Sequence, residues 1–330
     1  MTTTMPTARL TAAGPEVSRI GLGLAALGRP AYITSGRAAD LPDRSVEGLR
    51  ERTLAMLDAA YAADVRYFDV ARSYGRAEEF LGHWLTSRGH RDAVAGSKWG
   101  YRYTGDWRTG PSVTVHEVKE HSLAMFTSQL AQTRANLGDQ LALYQIHSAT
   151  EDSGALTDHA LLAALARLKH EGVLVGLSTS GPRQAETLHR ALDTRVDGEP
   201  VFSVAQVTWN LLEPSVAAAA AEAAAAGWAV LVKEGMANGR LAPGGDAAGP
   251  RSRLAKVANA EGTTTDAVAL AAALAQPWAT VVLSGAVTEA QLHANLSALG
   301  LTRALPDAAQ LVQPEPPEDY WRARSARPWA

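Results

Sequence analysis

The 330-residue chain contains no cysteine. That excludes disulfides, thiol nucleophiles and cysteine-ligated metals. It also has little net charge: 31 lysines and arginines stand against 34 aspartates and glutamates, leaving −3. Without long runs of like charge there is no global basic field to draw the chain to nucleic acid or an acidic membrane. Apart from one alanine-rich segment, no apolar stretch approaches the ~20 residues of a membrane span. Met1–Arg9 carries no apolar run, so no secretory signal is expected. The nine histidines form neither a His-x-His strand pattern nor a His-Glu-x-x-His helix, so metal-dependent hydrolase or isomerase chemistry lacks a motif. A soluble, cytoplasmic protein with a small-molecule partner, and neither nucleic acid nor membrane, is the expectation.

What is present is a regular alternation of short apolar runs and amphipathic segments. Arg9-Leu10 and Val17–Ile20 flank Ala13-Gly14-Pro15, the pattern of a hairpin. A first buried strand follows at Ile20–Leu24, whose Gly23 would let a ligand approach the main chain. Leu27–Arg44, with Pro30, Tyr32 and Pro42, reads as a loop, and Ser45–Ala62 as a helix capped by Ser45. Further strands are read at Arg66–Asp69, Ala93–Lys98, Leu141–His147, Leu174–Ser180, Phe202–Val207, Trp228–Glu234 and Ala279–Ser284. Helices are read over Glu78–Leu85, Glu117–Leu137, Leu156–His170, a segment with Pro182 in its first turn, Val216–Ala226, Arg251–Glu261, Thr265–Ala275 and Thr288–Leu299. Trp99–Val115 reads as a long loop, and the tail after Pro306 as a surface segment. Eight strand–helix alternations predict an α/β fold, a (β/α)8 TIM barrel with an N-terminal β-hairpin and a C-terminal tail, as one domain over residues 1–330. An open doubly wound sheet is disfavoured, because Gly21-Leu22-Gly23-Leu24-Ala25-Ala26 lacks the third glycine of the dinucleotide fingerprint.

In such a barrel Asp69, Lys98 and His147 end three consecutive strands on the carboxyl-terminal rim, where barrel active sites lie. Tyr74 sits in the loop after Asp69. Lysine is rarely buried without a partner, and Asp69 supplies one for Lys98. An ammonium close to a phenol favours the phenolate, so Lys98 is expected to lower the Tyr74 pKa. His147 can donate to a substrate oxygen. The four together make a proton donor aimed at a carbonyl oxygen, as hydride addition to an aldehyde or ketone requires. Tyr32, Trp99, Tyr101, Tyr103 and Trp107 are candidates for an aromatic pocket, and Arg72 or Arg102 for an anionic or polyhydroxyl group.

These residues carry a resemblance to the aldo-keto reductase superfamily. Phe68-Asp69-Val70-Ala71-Arg72-Ser73-Tyr74-Gly75 resembles its Phe-Asp-Thr-Ala-x-x-Tyr-Gly signature. Ser97-Lys98-Trp99 is similar to its catalytic-lysine strand, and Tyr144-Gln145-Ile146-His147 to its catalytic-histidine strand. The resemblance implies NAD(P)(H)-dependent interconversion of a carbonyl and an alcohol, with Tyr74 as general acid and base. Non-catalytic cofactor-binding barrels that act as partner subunits are the alternative in the same family. It further implies cofactor contacts from Ser178, Thr179 (where asparagine is usual) and Gln206. Lys233-Glu234-Gly235-Met236 with Asn238 and Gly239 resembles the pyrophosphate segment, and Gly285, Gln291 and Asn295 the adenosine end. NADP is the expected cofactor with NAD possible and a small margin between them, because Gly285–Gln291 holds no base and contains Glu289. Lys233, Arg240 or the Arg251–Arg253 segment would have to supply a phosphate-binding cation.

Overall fold

A computed structural model describes residues 5–33, 37–110, 113–301, 305 and 308–329. Strands β1 (Thr7–Arg9) and β2 (Glu16–Ser18) form the antiparallel hairpin read from the sequence. Chain order then gives β3 (Ile20–Gly23), α1 (Arg37–Asp40), α2 (Val46–Ala62), β4 (Tyr67–Asp69), α3 (Ala77–Arg88), β5 (Val94–Trp99), β6 (Tyr101–Tyr103) and β7 (Glu117–Lys119). After α4 (Leu123–Leu137) come β8 (Leu141–Ala149), α5 (His159–His170), β9 (Leu174–Thr179), α6 (Gln184–Leu192), β10 (Arg195–Val196) and β11 (Glu199–Pro200). The last third runs β12 (Val204–Thr208), α7 (Ala217–Ala225), β13 (Ala229–Lys233), α8 (Arg253–Ala260), α9 (Thr265–Leu274), β14 (Val281–Ser284), α10 (Glu289–Leu296), α11 (Ala308–Leu311) and α12 (Pro317–Ser325). Eight parallel strands close into a barrel in the order β3-β4-β5-β8-β9-β12-β13-β14, with β14 pairing back to β3. None of the helices among the described residues is long and apolar enough to cross a membrane.

Side chains alternate across each strand, so β4 sends Tyr67 and Asp69 into the barrel and Phe68 outward. Tyr67 packs with Leu143, Val204, Leu231 and Val281 from other strands, and Leu10 and Val17 of the hairpin close this inner cluster. Glycines make room for its ring: a Cβ on Gly21 would meet Tyr67 Cδ1 at 2.7 Å, and one on Gly96 would meet its hydroxyl at 2.2 Å. The packed lower barrel thus holds Tyr67, and Tyr67 holds Asp69 one pleat above it. Phe68 joins the larger cluster between barrel and helices, 5.1 Å from the Trp84 ring centroid of α3.

Several helix ends follow local rules. Ser45 caps α2 by accepting from Gly48 N at 3.0 Å, and Leu49, Thr53, Leu57 and Ala60 are its buried face. The alanine-rich α7 buries Ala219, Ala220 and Ala223 and packs against α6. Four expectations differ. The Trp99–Val115 loop contains β6, and the helix expected from Glu117 begins only at Leu123. Tyr101–Tyr103 pairs antiparallel with Glu117–Lys119 instead, and Ser122, which accepts from Met125 N at 3.1 Å, is the real cap of α4. Pro182 precedes the cap residue of α6, Arg183, and is not in its first turn. The loop expected at Leu27–Arg44 contains α1, while residues 34–36 of it lie outside the described residues. The tail does lie across the surface, with Glu318, Asp319 and Arg322 exposed, and it is anchored there: α12 buries Tyr320 and Trp321, and Trp329 stacks on His116 at 4.4 Å. Pro306, the expected start of that tail, lies outside the described residues.

Candidate active site

Asp69, Lys98 and His147 converge at the carboxyl ends of β4, β5 and β8. Lys98 Nζ is ion-paired with Asp69 Oδ1 and donates to the Val70 carbonyl at 3.0 Å, with both side chains buried. The second carboxylate oxygen accepts from Gln206 Nε2 at 2.8 Å. Burial pulls the Lys98 pKa down and Asp69 opposes it. The His147 ring lies 5.4 Å from the Tyr74 ring, edge to face, and its Nδ1 is 3.4 Å from Ser73 Oγ. Burial, then the charges of Lys98, Arg29 and Lys233, hold His147 well below the ordinary histidine range, so the imidazole is neutral at pH 7.

Tyr74 sits on a turn whose N–H donates to the Ala71 carbonyl at 3.0 Å. Its ring centroid is 5.1 Å from Lys98 Nζ. The phenol does not behave as expected. Burial, then Asp69 and Tyr32, push its pKa well above 10, and Arg29 is the cation that pulls it back. The physical reason is local: the Lys98 charge is directed at Asp69, and burial together with the Asp69 charge outweighs what reaches the phenol.

A cavity of about 1240 Å³ runs from Asp69, Tyr74 and His147 to the α10 side of the barrel. Gly23 and Gln206 line it near the tetrad. Lys233, Glu234, Gly235, Met236, Asn238 and Gly239 form its middle wall, and Gly285, Gln291 and Asn295 its far end. Ser178 and Thr179 do not reach it. Ser178 Oγ accepts from Ser148 N at 2.7 Å and Thr179 Oγ1 donates to Gln184 Oε1 at 3.1 Å, both fully buried, whereas the next residue, Ser180, lines the cavity.

The middle wall is charged and strained. Lys233 Nζ donates to Thr208 Oγ1 at 2.5 Å and lies 3.8 Å from Glu234. Burial lowers the amine to about 8 against the pull of Glu234. Burial would raise Glu234, but Arg324 of α12 and Lys233 hold it at about 2. Glu234, Ala237 and Asn238 have φ of 58°, 49° and 54°, a left-handed backbone that non-glycine residues adopt at a cost and that clusters at functional sites.

At the far end Gln291 donates to Asp40 Oδ2 at 2.8 Å and accepts from Val287 N at 3.0 Å. Asn295 lies between Ser284 Oγ and Asp266 Oδ2, each at 2.8 Å, with its amide nitrogen toward the aspartate. Asp266 Oδ1 and Thr264 Oγ1 are buried without a hydrogen-bond partner among the described residues, and both residues line the cavity. Arg240 is bound by Glu315 at 2.6 and 2.9 Å and by Asp246 at 3.1 Å. Arg253 donates to Gln310 at 3.3 Å.

Of the aromatic candidates, Tyr32 and Tyr101 line the catalytic end. Trp99 is fully buried against His121 and Phe126, and Trp107 donates to the Arg44 carbonyl at 3.0 Å. Arg72 is tied to the buried Glu78 at 2.6 Å, and the exposed Arg102 lies 3.8 Å from Glu120, so neither faces the cavity. The sequence reading missed Arg29, Glu117, Arg324 and Trp329, all of which line the cavity. No periodicity or motif marks them; they come from the loop after β3, from β7 and from the tail. Among the described residues no cluster of three or more metal-ligating side chains occurs.

The sequence model of the Aldo/keto reductase family matches residues 19–309. No curated protein sequence matches significantly. Among solved structures, a candidate aldo-keto reductase from Pseudomonas aeruginosa is 24% identical, with a TM-score of 0.63 over 91% of this chain and 95% of that one. A second structure of that description from the same organism is 23% identical, with a TM-score of 0.62 over 89% and 95%. The holo form of an aldo-keto reductase from Bacillus halodurans is 21% identical, with a TM-score of 0.65 over 97% and 96%. At these identities the likeness is one of fold.

Proposed function

This chain belongs to the aldo/keto reductase family, a family of oxidoreductases, and from that premise we propose that it is a single-domain NAD(P)(H)-dependent reductase that interconverts an aldehyde or ketone and an alcohol, with Tyr74 as the proton donor. The observation that carries the reading is that Tyr74 and His147 share one cavity wall above the buried Lys98–Asp69 pair.

The cavity suits an extended dinucleotide. Asp266 Oδ1, an acceptor, and the Thr264 hydroxyl, a donor or acceptor, have no partner among the described residues at the end where an adenosine would lie, and Asn295 and Gln291 offer amides beside them. A Cβ on Gly285 would project into open space, so the backbone there is accessible to a ligand. Lys233, Gly235, Met236, Asn238 and Gly239 would hold the pyrophosphate, and Gln206 the carboxamide after releasing Asp69. A nicotinamide cofactor supplies the hydride when bound. This chain's residues handle the oxygen. Neutral His147 orients the carbonyl, and Tyr74 donates its proton to the oxygen on which charge develops. In the reverse direction the phenolate takes the proton of the alcohol.

Discrimination between the two dinucleotides is proposed to be weak. Arg240 is engaged by Glu315 and Asp246, while Asp40 and Asp266 line the same far stretch. A 2′-phosphate needs a free cation there. NADP is retained as the expected cofactor, with NAD close behind it.

The test is a single turnover. Protein loaded with NADPH or NADH is mixed with a reactive aldehyde, and decay of the reduced-nicotinamide fluorescence is followed together with alcohol formation. Stoichiometric decay is the expected result. Tight binding without decay would turn the reading toward a non-catalytic cofactor-binding subunit.

A further inference from the structure

Arg29 lies in the loop after β3 and is only 2% exposed. Its guanidinium donates to the Ser73 carbonyl at 3.0 Å and to Glu117 Oε1 at 2.6 Å, and Nε reaches the Ala25 carbonyl at 3.3 Å. The guanidinium carbon lies 5.0 Å from the Tyr74 ring centroid, 5.0 Å from Tyr32 and 4.7 Å from Trp329. One buried cation therefore joins the β3 loop, the turn that carries Tyr74, the β6–β7 hairpin and the end of the tail.

Charged and titratable groups face Tyr74 from each of these sides. Asp69 comes from its own strand and Lys98 from β5, already paired with each other. His147 comes from β8 and is neutral. Tyr32 and Arg29 come from the β3 loop, and Glu117 from β7. Of the two cations, Lys98 is closed off by a fully buried carboxylate. Arg29 is paired with Glu117, and its guanidinium carbon lies 5.0 Å over the ring. Guanidinium over an aromatic face is an attractive arrangement for the neutral ring and a stronger one for a ring bearing negative charge.

We propose that Arg29 is a positioning residue for proton transfer: it fixes the Tyr74 turn through the Ser73 carbonyl, and its charge stabilises the phenolate left when the Tyr74 hydroxyl proton passes to the substrate oxygen. The inference rests on Tyr74 being the proton donor. It assigns to Arg29 a share of the work expected of Lys98.

The test compares pH profiles of kcat for alcohol oxidation, where the phenolate is the base, in wild type, Arg29→Met, Arg29→Lys and Glu117→Gln. Reduced-cofactor Kd and thermal midpoint are measured beside them. Arg29→Met is expected to move the profile up by about one pH unit and to lower kcat at pH 7 by roughly tenfold, the size of a lost neighbouring charge, with Kd changed less than about threefold. Arg29→Lys restores most of the profile. Glu117→Gln removes the counter-charge and moves the profile down, the opposite direction. An unmoved profile in Arg29→Met, or an upward or absent shift in Glu117→Gln, overturns the proposal; if Arg29→Met does not fold, the sign of the Glu117→Gln shift decides. Tyr74→Phe serves as the control: wild-type turnover there would remove the proton-donor reading itself, whereas an inactive Tyr74→Phe with unmoved Arg29 profiles removes only the role of Arg29.

Discussion

Gln206 and Asp69 meet across the barrel. They stand on β12 and β4, the sixth and second strands of the closed sheet, and are joined at 2.8 Å through the amide nitrogen and Oδ2. With Lys98 on Oδ1, both oxygens of this buried carboxylate are satisfied from opposite walls. Gln206→Leu leaves Oδ2 buried and unpaired, at a cost of about 1–3 kcal/mol. Chemical denaturation of cofactor-free protein should show that loss. An unchanged denaturation midpoint would mean that the bond contributes nothing.

Lys98→Met strands Asp69 in the barrel and should destabilise the protein by ~3–5 kcal/mol. Adding Asp69→Asn removes the stranded charge, so the double variant should be more stable than Lys98→Met alone. The single variant should also move alcohol oxidation to higher pH, because an unneutralised Asp69 disfavours the Tyr74 phenolate. Additive stability losses would contradict the paired arrangement.

The barrel and its rim were legible because short apolar runs and strand-end polar residues are local signals. Asp69, Lys98 and His147 follow apolar runs, and a closed barrel brings consecutive strand ends together whatever the loops do. What could not be read depends on long-range closure. Arg324 meets Glu234 across 90 positions, and Arg29 meets Glu117 across 88. Glu117-Val118-Lys119 looked helical since α4 follows closely, and only pairing with Tyr101–Tyr103 makes it a strand. Ser178 and Thr179 matched a family pattern by type, but their hydroxyls are engaged by Ser148 N and Gln184. The Tyr74 pKa differs for a related reason: the Lys98–Asp69 pair is visible in the sequence, while the burial of the phenol and the reach of the Asp69 charge to it are not.

Acid should destabilise the fold through buried histidines. Burial lowers His121 to about 4, below the ordinary 6.5 of an unfolded chain. Below pH 6.5 the unfolded state takes up the proton first, so stability is lost as pH falls from about 6.5 to 4 and the full penalty is present below that. Each such histidine contributes a slope of ~1.4 kcal/mol per pH unit in its window. His121→Gln should flatten the measured stability–pH curve between pH 6.5 and 4 by about that slope. A curve parallel to wild type would show that His121 is not held neutral.

Fluorescence titration with NADPH and NADH at fixed ionic strength should give dissociation constants within about a hundredfold of each other, roughly 2.7 kcal/mol. Arg240→Ala should change the ratio little, because Glu315 and Asp246 already engage that side chain. A larger NADPH preference that Arg240→Ala abolishes would show that Arg240 leaves its carboxylates to bind phosphate.

Proton transfer by Tyr74 is tested most simply by removing its hydroxyl. In Tyr74→Phe, single-turnover carbonyl reduction under conditions where hydride transfer limits the rate should fall by ~10²–10⁴, while thermal midpoint and reduced-cofactor Kd stay near wild type. A Tyr74→Phe protein that reduces the aldehyde at the wild-type rate would contradict the account.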